Sequence, residues 1–213
     1  MNKKFTELAK KSKVIVIKVG SNILVNEKHV LRKKWLSSLI EDVQKLQKKG
    51  SKIIIVSSGA IALGRNILSK KKLTNLHEKQ AAASIGQIQL SQQWQKAFAK
   101  FNIQSSQILI TAEDLNERRK YLNIRNTIYS LMDLNVVPII NENDTTSTEE
   151  IRFGDNDKLS AMIANALSAE LLILLSDVNG LYTANPKKST DAKLITSVEE
   201  VDQEIEKYID KDL

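Results

Sequence analysis

The sequence predicts an α/β protein, a three-layer α-β-α sandwich around a central, mostly parallel sheet. Two patterns predict it. Short apolar runs with almost no polar alternation, Val14-Ile15-Val16-Ile17, Ile53-Ile54-Ile55-Val56 and Leu171–Leu175, read as strands buried on both faces. Longer stretches between them carry apolar residues at three- and four-residue steps, the signature of helices covering such a sheet.

Taken in order, Val14–Lys18 is the first strand. From Val30 to Lys49 the residues Leu31, Trp35, Leu36, Leu39, Ile40, Val43 and Leu46 form one helical stripe, ended by Gly50. Lys52–Ser57 is a strand, with a helix following near Ala60. The alanine- and glutamine-rich stretch Glu78–Phe101 is helical, Gln107–Thr111 is a strand, and Tyr121–Leu134 is a helix. Val136–Ile140 is a strand, in which Pro138 marks a position whose N–H the ladder does not need. Asp157–Leu167 is a helix and Leu171–Ser176 another buried strand. Gly180–Thr196 reads as a turn-rich insertion, and Ser197–Leu213 as the acidic start of a helix.

Composition narrows the function classes. An apolar fraction of 42% with only two prolines excludes a low-complexity chain. No cysteine is present, which excludes thiolate chemistry, disulfides and cysteine metal sites. His29 and His77 lie far apart in polar stretches and read as surface residues. No apolar stretch is long enough for a membrane span, and Met1–Lys13 lacks the apolar centre of a signal peptide, so a cytoplasmic enzyme is expected. The net charge of +7 comes from scattered lysines, and aromatics make up 5% of the chain. That pattern fits a solvated surface with mild attraction for anions, not a nucleic-acid interface.

Right-handed crossovers in a parallel sheet bring the strand-to-helix loops to one edge, where ligands of such sheets bind. Lys18-Val19-Gly20-Ser21 ends the first strand on a lysine, with Gly20 and Ser21 expected to leave backbone N–H groups free for an anion. The lysine precedes the glycine, so this is not the G-x-x-x-x-G-K-[ST] phosphate loop. Ser57-Ser58-Gly59-Ala60 leads a strand into a helix, as an anion-binding turn or simply a capped one. Asn141-Glu142-Asn143-Asp144-Thr145-Thr146 follows a buried strand. Its amides and carboxylates suit a zwitterion, Asp144 accepting from an ammonium, but equally a solvated turn. Phe153-Gly154-Asp155-Asn156-Asp157-Lys158 opens a helix, where carboxylates favour the helix dipole or position a lysine or Mg²⁺. Ser176-Asp177-Val178-Asn179-Gly180 fits a nucleotide pocket or an ordinary turn.

Together with Gln87 in Ile85-Gly86-Gln87 and with Tyr121–Thr127, these stretches resemble the amino acid kinase family, most closely its branch acting on glutamate. The matches run in the family's order along nearly the whole chain. The Ile-Asn-Glu-Asn-Asp and Gly-Asp-Asn-Asp loops are the most specific to that branch. The resemblance implies a cytoplasmic, ATP- and Mg²⁺-dependent transfer of phosphate to the side-chain carboxylate of L-glutamate, opening proline synthesis. It casts Lys18 as the stabiliser of the transferring phosphoryl group, and Ser58, Asp144 and Asn156 as glutamate-binding. Ser176 and Asp177 belong to the ATP site, Asp155 and Asp157 to an acidic turn that organises lysines and metal, and Gly20 and Gly59 to a phosphate cradle. Feedback binding of proline, a glutamyl phosphate reductase as pathway partner and a homo-oligomer are further implications, with no membrane or nucleic-acid partner.

The family pattern continues with a glycine-rich G-T-G-G-M-x-T-K loop that is expected beyond Leu213 and, in many members, a PUA domain. Residues 1–213 are thus expected to be a truncated amino acid kinase domain that does not turn over alone. The rival readings are an N-acetylglutamate kinase or aspartokinase and, in another class, a non-catalytic ligand-binding fragment.

Overall fold

The computed structural model describes residues 3–28, 30–69, 72–147 and 155–208. They fall into two compact units, up to Leu175 and from Ser176. In the first, five strands form one sheet: β1 (Val14–Val19), β2 (Lys52–Ser57), β3 (Ser105–Ile110), β4 (Val137–Glu142) and β5 (Leu171–Leu175). Their spatial order is β3-β4-β2-β1-β5, and every pairing is parallel. All strand C-termini therefore lie along one edge.

Alternate residues serve opposite layers, as the two-residue period of a strand requires. Ile15, Ile17, Val19, Ile53, Ile55 and Ile139 pack with helices α3 (Lys33–Gln47), α4 (Ala60–Ile67) and α5 (Leu76–Ala99). Val16, Ile54, Val56 and Ile140 pack on the other face with α6 (Ala112–Asn116), α7 (Arg118–Asp133) and α8 (Asp155–Ala166). The steps β1→β2 and β2→β3 run one way across the sheet under the first layer. The steps β3→β4 and β4→β5 run back under the second. Right-handed crossovers demand this change of face when the direction reverses. The adjacent strands β2 and β4 thus send their loops to opposite faces, which opens a crevice between their C-terminal ends. Their ladder is confined to Ile55↔Ile139 and Val56↔Ile140. Pro138 is tolerated inside the sheet because this pairing begins only after it.

Helices α4 and α5 touch through glycines. A Cβ on Gly64 would lie 1.7 Å from the Ala82 carbonyl oxygen, and one on Gly86 1.8 Å from that of Ala60. Only glycine permits this approach, which fixes the N-terminus of α4 against the middle of α5.

Several sequence expectations are corrected. Helices α1 (Lys3–Lys11), α2 (Ser21–Leu24) and α6 were not anticipated. α1 carries Phe5, Leu8 and Ala9 at helical spacing, yet buries only Ala9. α6 is announced by Thr111-x-x-Asp114, a reciprocal capping box, so Thr111 is a cap and not a strand residue. Strand β4 extends through Asn141 and Glu142, which pair with Leu109 and Ile110 and do not belong to a loop. Strand β5 is a sheet edge and only partly buried, with Leu174 52% exposed. Ser176 lies outside it. The second unit contains a two-stranded antiparallel pair, β6 (Leu181–Tyr182) with β7 (Leu194–Ile195), and the short helix α9 (Gln203–Glu206). His29, Phe153 and Gly154 lie outside the described residues, and His77 is exposed on the first turn of α5. Among the described residues no helix is long and apolar enough to cross a membrane.

Gly86→Ala should force α4 off α5 and destabilise the protein by about 1–3 kcal/mol or more, the usual cost of overpacking. A calorimetric melting temperature equal to wild type would show that the two helices separate freely. Asp114 tests the α6 cap. Hydrogen bonds from Thr111, the backbone N–H first, hold its carboxyl below the ordinary value, and Lys120 adds to this. The folded pKa lies below the unfolded one, so the contribution is complete above a pH of about 4 and is lost as pH falls through the folded value. Asp114→Ala should cost about 1 kcal/mol at neutral pH. In urea melts across the acid range, the gap from wild type should narrow as pH falls; a constant gap would mean that the cap is not electrostatic.

Candidate functional site

The C-terminal edge of the sheet at β1, β2 and β4 brings together Lys18, Ser58, Asn156 and Asp157 from among the residues singled out in the sequence. Lys18, on the face of β1 that turns towards α8, is 9% exposed. Its Nζ lies 2.6 Å from Oδ1 of Asp157 in the first turn of α8. A buried ammonium without such a partner would be strongly unfavourable. The pair is asymmetric: the Lys18 side chain is 11% exposed and that of Asp157 47%. Asp155 begins α8 in the backbone, but its side chain lies outside the described residues.

Gly20 departs from expectation. Its N–H donates to the Leu175 carbonyl oxygen (3.1 Å), so this amide is not free for an anion. The glycine instead permits close approach. A Cβ there would lie 3.2 Å from that oxygen and 3.7 Å from Lys18 Nζ. Gly59 is a different case. It caps α4 in the left-handed region, at φ 116°, with no side-chain cap on the helix. The uncapped amides of α4 therefore carry the partial positive charge of a helix N-terminus. The preceding Ser58 N–H donates to the Val19 carbonyl oxygen, tying this turn to β1.

A chain of side-chain hydrogen bonds crosses the crevice. Asn156 Nδ2, from the start of α8, donates to Ser58 Oγ (2.9 Å) and to Asn141 Oδ1 (3.1 Å). Asn141, buried at the end of β4, donates through Nδ2 to Gln87 Oε1 on α5 (2.8 Å). Asn156 Oδ1 is buried with no hydrogen-bond partner. Leaving such an acceptor unmet costs about 1–3 kcal/mol, which a ligand bearing N–H groups would recover. Beneath the turn, Trp94 Nε1 donates to Ser57 Oγ (2.9 Å) and Ser57 Oγ donates to the Ser58 carbonyl oxygen (3.2 Å).

The structure thus brings Lys18 to Asp157 and Ser58 to Asn156. Asp144 is placed in the turn 144–146 that follows β4. Ser176 and Asp177 belong to the second unit, where both are exposed and Asp177 is paired with Lys187. Sequence reasoning offered Asn141 as a ligand-binding amide and Gln87 only as part of the family match, and it assigned no role to Trp94. What it missed is that Asn141 and Gln87 hold Asn156 through a chain of hydrogen bonds, which the polar Asn141 closing an apolar strand and Gln87 beside the tight Gly86 signal only faintly. Among the described residues no group of three or more His, Asp or Glu could hold a metal ion.

The amino acid kinase family profile matches residues 13–211. The chain belongs to the amino acid kinase family. Its curated relatives include the glutamate 5-kinase of Pelagibacter ubique (strain HTCC1062), 49% identical over 205 residues covering 96% of this chain and 56% of the relative. The glutamate 5-kinase of Brucella abortus (strain S19) is 51% identical over 193 residues, 90% of this chain and 51% of the relative. The chain therefore spans about half the length of these relatives. Among solved structures, an isopentenyl phosphate kinase superposes with a TM-score of 0.63 at 18% identity, covering 91% of this chain and 84% of that one. The UMP kinase from Bacillus anthracis gives 0.60 at 17% identity, covering 86% and 72%. At such identities these two establish the amino acid kinase fold and nothing finer.

Proposed function

We propose that this chain carries the glutamate-binding crevice and phosphoryl-stabilising lysine of an ATP-dependent kinase. The reaction is ATP + L-glutamate → ADP + γ-glutamyl phosphate. The observation that carries this reading is the placement of Lys18–Asp157 and Ser58–Asn156–Asn141 at one sheet edge. Identity of about half to glutamate 5-kinases supports it.

The attacking group needs no general base, because a glutamate side chain with a pKa of about 4.3 is already ionised at neutral pH. What the protein must supply is orientation and relief of repulsion between two anions. The Lys18 ammonium is fixed at the end of β1 and bears the charge opposite to a phosphoryl group. The uncapped N-terminus of α4, reached through left-handed Gly59, adds backbone donors. Ser58 Oγ already accepts from Asn156, so its proton remains to donate to a carboxylate. Asp144 lies close in sequence to Asn141 and would receive the α-ammonium. Ser176 and Asp177 would contribute to the nucleotide site. These donors fit the polyanion of ATP. Mg²⁺, when bound, would neutralise phosphate charge. The described carboxylates form no cage for it, so ATP oxygens would be its main ligands, with Asp157 or Asp155 nearest in sequence to that role. The product is an acyl phosphate, prone to hydrolysis, so prompt transfer to a reductase follows from its chemistry. Proline as feedback ligand, self-association and a cytoplasmic setting complete the proposal.

Coupled ADP release, with and without L-glutamate, tests the reading. In a protein extended through the downstream glycine-rich loop, Lys18→Ala should lower turnover by roughly 10²–10³, the cost of one preorganised donor, with a smaller change in the KM for glutamate. Turnover within about threefold of wild type would remove Lys18 from the chemistry. Asp144→Ala should raise the KM for glutamate while leaving that for ATP nearly unchanged. An equal rise for both would make Asp144 a structural residue.

A further inference from the structure

We propose that Gln87 is a positioning residue. A one-way hydrogen-bond relay through Ser91, Gln87 and Asn141 holds Asn156 with Oδ1 as the open acceptor, so the crevice selects ligands bearing an ammonium group. The proposal rests on reading this crevice as the amino-acid site.

An amide side chain presents a donor and an acceptor of nearly equal shape, so something must decide which faces the ligand. Here the decision starts at a group that cannot flip. The main-chain carbonyl of Gln87 accepts from Ser91 Oγ at 2.9 Å, one helical turn along α5. The Gln107 Oε1 atom of β3 lies against the same hydroxyl. With its proton committed to an acceptor, Ser91 Oγ offers a lone pair to Gln87 Nε2 at 3.2 Å. That leaves Gln87 Oε1 as acceptor, met by Asn141 Nδ2 at 2.8 Å. Asn141 Oδ1 must then accept, and Asn156 Nδ2 donates to it at 3.1 Å while also donating to Ser58 Oγ at 2.9 Å. Both N–H bonds of Asn156 are spent. What remains is Oδ1, buried and unpartnered.

Each link determines the next. Removing the acceptor at residue 87 would leave Asn141 free to turn over, and Asn156 with it. The crevice would then offer an N–H where it had offered a carbonyl oxygen. A donor group on the ligand is welcome in the first arrangement and repelled in the second. The conservative change keeps the relay, because Gln87→Glu still presents an oxygen to Asn141 Nδ2.

The test compares binding of L-glutamate with glutarate, which has both carboxylates but no amino group, by calorimetry on the whole chain. Wild type should prefer glutamate by roughly tenfold or more, the worth of one buried hydrogen bond. Gln87→Leu should lose most of that preference by weakening glutamate and not glutarate, and Gln87→Glu should retain it. Equal weakening of both ligands by Gln87→Leu would assign Gln87 a merely structural role and overturn the proposal. A preference unchanged in Gln87→Leu would also overturn it, and would place ammonium selection on Asp144. A wild type that binds neither ligand would instead remove the reading of the crevice, and this inference with it. Should Gln87→Leu not fold, Gln87→Met gives the same comparison with the length preserved. A measurement on wild type is independent of any variant. The side-chain N–H protons of Asn141 and Asn156 should exchange slowly in the ligand-free protein by NMR, and rapid exchange of the Asn156 amide would overturn the relay.

Discussion

The reversal of crossover direction between β2 and β4 is the constraint on which the site depends. Two neighbouring parallel strands that send their chains to opposite faces cannot keep their loops together. Their ladder is limited to Ile55↔Ile139 and Val56↔Ile140, and the residues just beyond, Ser57, Ser58 and Asn141, are left to meet other partners. Those partners come from helices: Trp94 and Gln87 from α5, and Asn156 from α8. The crevice is thus a consequence of topology, lined with polar groups that the sheet itself does not satisfy.

Helix α5 sets the dimensions of that crevice. Gly86 receives the first residue of α4, Gln87 holds the end of β4, and Trp94 holds the end of β2. Three elements that approach the site from different directions are thereby referred to one rigid helix. The glycine contacts matter most here, because backbone touching backbone has no side chain that could yield. Trp94 and Phe98 continue the same helix into the fully buried core, stacked with centroids 5.9 Å apart. Core packing and site geometry are for this reason not separable along α5.

The strands were legible because Val14–Ile17 and Ile53–Val56 are buried on both faces, and an uninterrupted β-branched run has few other solutions. The strand-end loops were legible for a related reason, since glycine and clustered amides have no place inside such a sheet. Short helices were harder. α2 and α6 span a single turn or little more, below the length at which apolar periodicity speaks, although the Thr111–Asp114 cap was there to be read. Asn141 was misplaced because a polar residue at a strand end looks like the start of a loop. Only the register with Leu109 shows that it still belongs to β4. The fate of the Gly20 amide was invisible for a different reason. Its acceptor, Leu175, is remote in sequence, and glycine signals that something approaches closely without saying what.

The Lys18–Asp157 pair explains how a cation can wait in a buried position. Alone, the ammonium at the end of β1 would oppose folding. With Asp157 beside it the charge is balanced, and the carboxylate sits in the first turn of α8, where the helix dipole also favours it. The two partners differ in what they can give up. Lys18 is held by a strand in the middle of the sheet and has little freedom. Asp157 is nearly half exposed and can exchange its partner for water. On the function proposed above, an incoming phosphoryl group would compete with the carboxylate for a fixed ammonium, not with the sheet for a mobile one. The lysine contributes to orientation as well as charge, because the strand that carries it pairs on both sides, with Val56 and Leu174 at the same rung.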